Sequence, residues 1–162
     1  MKDFDYNGHT LARIQGDLFE NYSVCQKCSP YIFIRRFMNS KLAKRFDNTT
    51  ILGEASSIYT FVDELNEEYG DTNFGNPNLF NPDVLYWVGY LLRYWCFTYE
   101  ISSKTLINKI NLKGIFQRYY IYHSMDPSLA IENIMEEDHI TFEKERDIMS
   151  ILRELMKETE GN

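Results

Sequence analysis

The stretch from Asn81 to Ser103, NPDVLYWVGYLLRYWCFTYEISS, does most to limit what this chain can become. Asn81 suits the N-cap of a helix and Pro82 its first position, where a missing N–H costs nothing. Val84, Trp87, Val88, Leu91, Leu92 and Trp95 then recur at helical spacing, and Tyr86, Tyr90, Tyr94 and Tyr99 widen the apolar stripe. A helix apolar nearly all round is expected to be buried nearly all round. Asp83, Arg93 and Glu100 interrupt it, and the uncharged run Val84 to Leu92 is far shorter than the ~20 residues that cross a bilayer. The stretch therefore predicts the central helix of a bundle, at about residues 82–101.

The rest of the chain supplies helices to surround it. Leu11, Ile14, Leu18, Phe19 and Tyr22 give a first amphipathic helix over about 9–25. Ser29-Pro30 opens a second, with Phe33, Phe37, Met38 and Leu42 on its apolar side. YIFIRRF also fits a strand, but the following MNSKLAKRF has no alternation to pair with it. From Glu54 to Tyr69, Ile58, Phe61, Val62, Leu65 and Tyr69 share one face, and Gly70 ends the helix. Asp71 to Phe80 is a turn-rich loop whose Phe74, Leu79 and Phe80 are expected to tuck onto the body. Ser102 or Ser103 caps a short helix, KTLINKI; Asn111 caps LKGIFQRYYIYHSM; Asp126-Pro127 opens PSLAIENIMEE. A last amphipathic helix over about 141–157 carries Phe142, Ile148, Ile151, Leu152, Leu155 and Met156. The expectation is an all-α chain in which residues 1–162 form a single-domain bundle of seven or eight helices around the aromatic one.

Composition agrees with a single domain, since 162 residues with 44% hydrophobic and 15% aromatic content supply one ample core. Net charge is −7, which opposes nucleic-acid phosphates and anionic lipid. The balance is uneven, because Arg35, Arg36, Lys41, Lys44 and Arg45 fall in a segment without acids, whereas the chain beyond Glu136 is mainly acidic. These are either two solvated helix faces or a charged surface for a partner. MKDFDYNGHT has no apolar run behind its lysine, so a secretory signal is not expected. Cys25, Cys28 and Cys96 cannot all pair within one chain, which predicts thiols in a reducing, cytoplasmic setting.

Candidate chemistry is sparse. CQKC at Cys25 to Cys28 has the spacing of half a zinc site or of a redox pair, but zinc needs two more ligands, and His9, His123 and His139 are scattered. No metal or cofactor is assigned, and the cysteines read as ordinary thiols. His123 ends an aromatic helix, where it can interact with free carbonyls and the helix dipole. Arg93, the one cation inside the apolar helix, must be paired if buried, with Asp63, Glu64 or Glu132 as candidates, or stacked on an aromatic ring. The alternative places Arg93 at the mouth of a groove, gripping a partner's carboxylate or phosphate. Ser102 to Tyr122 also has the length of a helix-turn-helix unit, which would use Lys104, Lys109, Lys113 and Arg118 on nucleic acid. No GxSxG, Walker, GxGxxG or HExxH motif is present, so no enzyme is expected. A small metal or thiol enzyme using Cys25, Cys28 or His123 stands as a third reading.

Leu85 to Glu136 carries an aromatic helix (YWVGYLLRYWCFTYE), then ISSKTLINKI, then a helix with Tyr122-His123, then AIENI. Ser103-Lys104 with Leu106 and Ile107, and Ile131, Glu132 and Ile134, belong to the same pattern. Over this middle third the chain resembles small helical proteins encoded beside ADP-ribosyltransferase-like toxins in bacterial toxin-antitoxin operons. The resemblance implies a bacterial antitoxin or accessory component, of a toxin-antitoxin or phage-defence module, that binds a toxin and occludes its cleft. Arg35, Arg36, Tyr86, Tyr90, Arg93 and Tyr94 are the expected partner contacts, and no membrane is involved.

Overall fold

The computed structural model describes residues 1–25, 27–71 and 73–161, with the side chains of 23–25 and 143–149 outside the description. The Cys25 thiol and Ile148 therefore fall outside it. The described chain is all helical and has no strand: α1 (Tyr6–Cys25), α2 (Pro30–Asn39), α3 (Lys41–Asp47), a 3₁₀ turn (Thr50–Gly53), α4 (Ile58–Tyr69), α5 (Pro82–Tyr99), α6 (Ser103–Lys109), α7 (Leu112–Gln117), α8 (Tyr119–Tyr122), α9 (Pro127–Glu137) and α10 (Glu143–Glu160). Eight of the ten α-helices have seven or more residues. Among the described residues no helix is long and apolar enough to cross a membrane.

Side-chain caps set most of the helix starts. Ser29 Oγ accepts from Tyr31 N ahead of Pro30, Ser102 Oγ from Thr105 N, Asn111 Oδ1 from Gly114 N, and Asp126 Oδ1 from Ser128 N. Asn81 makes no such bond, so α5 starts on Pro82 and its backbone alone. Two expected helices are broken instead of continuous. Buried Ser40 donates to Phe37 O at 2.6 Å and accepts from Ala43 N at 3.0 Å, ending α2 and starting α3 with one hydroxyl. Similarly, the helix expected over Leu112 to Met125 is divided at Arg118 into α7 and α8.

α5 packs along α1, and the rest of the bundle closes around that pair. Gly89 permits the approach: a Cβ there would lie 2.7 Å from Gln15 O and 2.9 Å from Phe19 Cγ. Val84, Leu85, Val88, Leu91, Leu92, Trp95 and Cys96 of α5 are buried with Leu11, Leu18 and Phe19 of α1. Edge-on contacts of Phe19 with Phe37 and of Phe37 with Phe46, both at 5.4 Å, carry the core into α2 and α3. Contrary to the expectation from its apolarity, α5 is not buried all round. Tyr86, Trp87, Tyr90, Tyr94 and Tyr99 are only partly covered and leave an aromatic stripe open.

The loop from Asp71 to Phe80 docks by a different means from the expected one. Phe74 and Leu79 are exposed, and only Phe80 tucks in, stacked on Phe116 at 4.2 Å. The loop is held by its backbone: Phe74 O accepts from Ser29 N at 2.8 Å, and Pro77 O from the Tyr22 hydroxyl at 2.6 Å. The apolar stripe of α10 is also uncovered, with Ile151, Leu152, Leu155 and Met156 all exposed. Its opposite face, including Arg153 and Lys157, looks across a cleft of about 1030 Å³ toward Met1, Lys2 and Tyr99.

A candidate aromatic interface on the central helix

Arg93 does not reach the surface. It is 1% exposed, and its guanidinium donates to Gln15 Oε1 at 2.7 Å, Asp47 Oδ1 at 2.6 Å and Ser103 Oγ at 2.7 Å, while lying 5.3 Å over the Phe46 ring. Ser103 in turn donates its hydroxyl to Asp47 Oδ1, and its backbone N–H points at the same carboxylate. Gln15 Nε2 donates to Gly89 O, so the network ties α1, α3, α5 and α6 together. This corrects the expected pairing. Asp63 and Glu132 are exposed and Glu64 is held by Arg45, whereas Asp47 is the last residue of α3 and pairs with Arg93. The Arg93 fork is thereby engaged inside the protein, which removes it from the set of partner contacts.

Tyr86, Tyr90 and Tyr94, four residues apart on α5, are brought onto one face. The chain's own N-terminus covers the far end of that face. Phe4 lies 4.1 Å from the Tyr94 ring and edge-on to Tyr90, Lys2 N–H donates to Thr98 O, and Lys2 Nζ sits 4.0 Å over Phe97. The near end is an open groove of about 400 Å³. Tyr86, Trp87 and Tyr90 line it from α5, Tyr119 and His123 from the α8 region, and Asp83 marks its edge. Tyr119 stacks on His123 at 4.5 Å and meets Trp87 edge-on at 5.6 Å. Burial raises the Tyr86 and Tyr90 phenols above the ordinary range, so both remain neutral hydrogen-bond donors.

His123 Nδ1 is 2.8 Å from Tyr119 O, the helix-end interaction that its position predicts. The sequence placed His123 at a helix end but could not place it in the wall of one groove with Tyr86 and Trp87. A second groove of about 390 Å³, lined by Tyr31, Phe80, Phe116 and Tyr120, shares Tyr119 as its wall.

The other expected site residues lie elsewhere. Arg35 is exposed on α2, while Arg36 lies 5.5 Å over Tyr69 and reaches toward Gly70 O, on the α4 side of the molecule. Of the cations expected on nucleic acid, Lys104 and Lys113 are exposed, but Lys109 donates to Thr141 O and Arg118 is forked by Glu137 and Asp138. The recognition helix they were to share is split into six- and four-residue pieces. Cys28 and Cys96 are buried free thiols, and among the described residues no group of three or more His, Cys, Asp or Glu side chains could hold a metal. Compared with known proteins, the chain matches no family model, no curated protein and no solved structure.

Proposed function

We propose that this chain is a non-catalytic protein–protein interaction module that docks its partner on the aromatic face of α5. The observation that carries the reading is the open groove between Tyr86, Trp87 and Tyr90 and the Tyr119–His123 stack. Tyr and Trp are the residue types that dominate binding hot spots, because they offer large contact area at little cost in side-chain entropy. The exposed apolar stripe of α10 is a second surface of the kind that marks association. The resemblance to proteins encoded beside ADP-ribosyltransferase-like toxins gives the reading its specific form: an antitoxin that binds the toxin from the adjacent gene and occludes its cleft.

Co-expression with the adjacent gene product, followed by pull-down and growth measurement, tests this. A stoichiometric complex that restores growth is expected, and Tyr86→Ala with Tyr90→Ala is expected to weaken it at least about tenfold, as loss of a hot-spot pair does. Failure of the two chains to associate, with growth unaffected, would overturn the antitoxin assignment. Arg35→Glu, on α2, separates an extended interface from one confined to α5.

A further inference from the structure

We infer that the open end of the aromatic groove is a receptor for a guanidinium group, an arginine side chain presented by the partner. This rests on the interaction reading above and specifies the partner's chemistry at the same site. Four aromatic side chains, Tyr86, Trp87, Tyr90 and Tyr119, line one groove, and aromatic faces attract cations. Asp83 lines the same groove, and Asp126, beside the lining residues Met125 and Pro127, acts electrostatically on Tyr90 and Tyr94. Asp126 accepts from Ser128 N and from the Ser128 hydroxyl, which holds its carboxyl below the usual range and keeps it charged.

Aromatic faces flanked by carboxylates suit a planar cation that can stack and fork at once, which is arginine in preference to lysine or an uncharged anchor. The protein already uses this chemistry at the other end of α5, where Lys2 Nζ lies over Phe97. The charge of the whole chain, −7, favours a basic partner too. Two cations lie in the neighbourhood: Arg13 of α1 acts on Tyr86 and Tyr90, and Lys113 lines the second groove, which shares Tyr119. The carboxylates offered to the cation are Asp83, which lines the groove from the start of α5, and Asp126, next to its Met125 and Pro127 wall.

The test is a calorimetric titration of the full chain with a capped Gly-Ser-Arg-Ser-Gly peptide and with its citrulline counterpart, which keeps the shape and removes the charge. The Trp87 indole N–H resonance is followed in parallel. The arginine peptide is expected to bind about tenfold tighter, the size of a cation–ring contact reinforced by a carboxylate, and to shift the Trp87 signal. Asp83→Asn and, separately, Trp87→Leu are expected to abolish the difference; Asp83 is exposed at the first turn, so its substitution leaves the core intact. Equal binding of the two peptides, no binding of either, or selectivity that survives both substitutions would overturn the guanidinium site. The peptide experiment needs no partner protein, so its failure is separable from failure of the pull-down: a complex formed without arginine selectivity removes the cation and leaves the interaction module standing.

Discussion

At Asp47 a single carboxylate takes the Arg93 guanidinium, the Ser103 hydroxyl and the Ser103 N–H, while Gln15 takes the other side of the fork. Removing one member of such a set strands the others in a medium that solvates charge poorly. Asp47→Ala is expected to lower unfolding free energy by about 3 to 5 kcal/mol, read as a fall in the urea midpoint with the slope unchanged. Arg93→Lys should recover little, because one ammonium cannot reach Gln15, Asp47 and Ser103 together. The need for a partner to Arg93 was legible in the sequence; its identity was not, since it depends on where α3 ends in space. Cys96 borders this network. Burial is the largest influence on its thiol, pushing it from 9.0 up to about 12. Unfolding restores the ordinary value, so between about pH 9 and 12 the unfolded chain binds fewer protons and stability falls as pH rises, while below that window the thiol contributes no pH dependence. Denaturation followed across this range should show a shallower alkaline fall in Cys96→Ser than in the parent chain.

Helix starts were the most legible elements, because the information for a cap lies within three residues. Pro30, Pro82 and Pro127 all open helices, and Gly70 ends one with φ of 75°. The breaks at Ser40 and Arg118 were not legible. Ser40 interrupts a run that is helix-compatible on both sides, and only burial of its hydroxyl selects capping over continuation. Arg118 is drawn toward Glu137 and Asp138 on the α9 side, a tertiary pull that periodicity does not register. The same limit hid the groove, whose two walls come from elements far apart in sequence. The α1–α5 contact depends on two glycines of different tolerance. Gly89→Ala drives a methyl into the Gln15 backbone and is expected to cost about 1 to 3 kcal/mol, the range of overpacked cores. Gly16→Ala instead meets the Tyr86 ring at 2.7 Å, which can swing aside. Thermal unfolding of the two variants should show the larger loss for Gly89→Ala, and the Gly16→Ala substitution should disturb partner binding more than stability.

Across the whole molecule the all-α class and the central role of α5 followed from patterning, because a stripe of apolar residues must find cover somewhere. Patterning does not say that the cover comes from the same chain, and at α10 it does not: from Ser150 to Gly161 every residue is exposed. Removing residues 150–162 is therefore expected to shift the thermal midpoint by less than about 4 °C, the equivalent of ~1 kcal/mol in a chain of this size, while reducing any association that depends on the stripe. Differential scanning calorimetry and light scattering of the shortened chain would show both effects, and a large fall in midpoint would mean that α10 supports the body. The pairing of α1 with α5 carries a different consequence, for synthesis. Gln15 and Gly89 meet across 74 residues of sequence, so during synthesis α1 must wait for α5 before Leu11, Leu18 and Phe19 are fully enclosed. Translation halted before Asn81 should yield a sticky, chaperone-dependent nascent chain, and release past Tyr99 should be the point at which α1 first gains protection from protease.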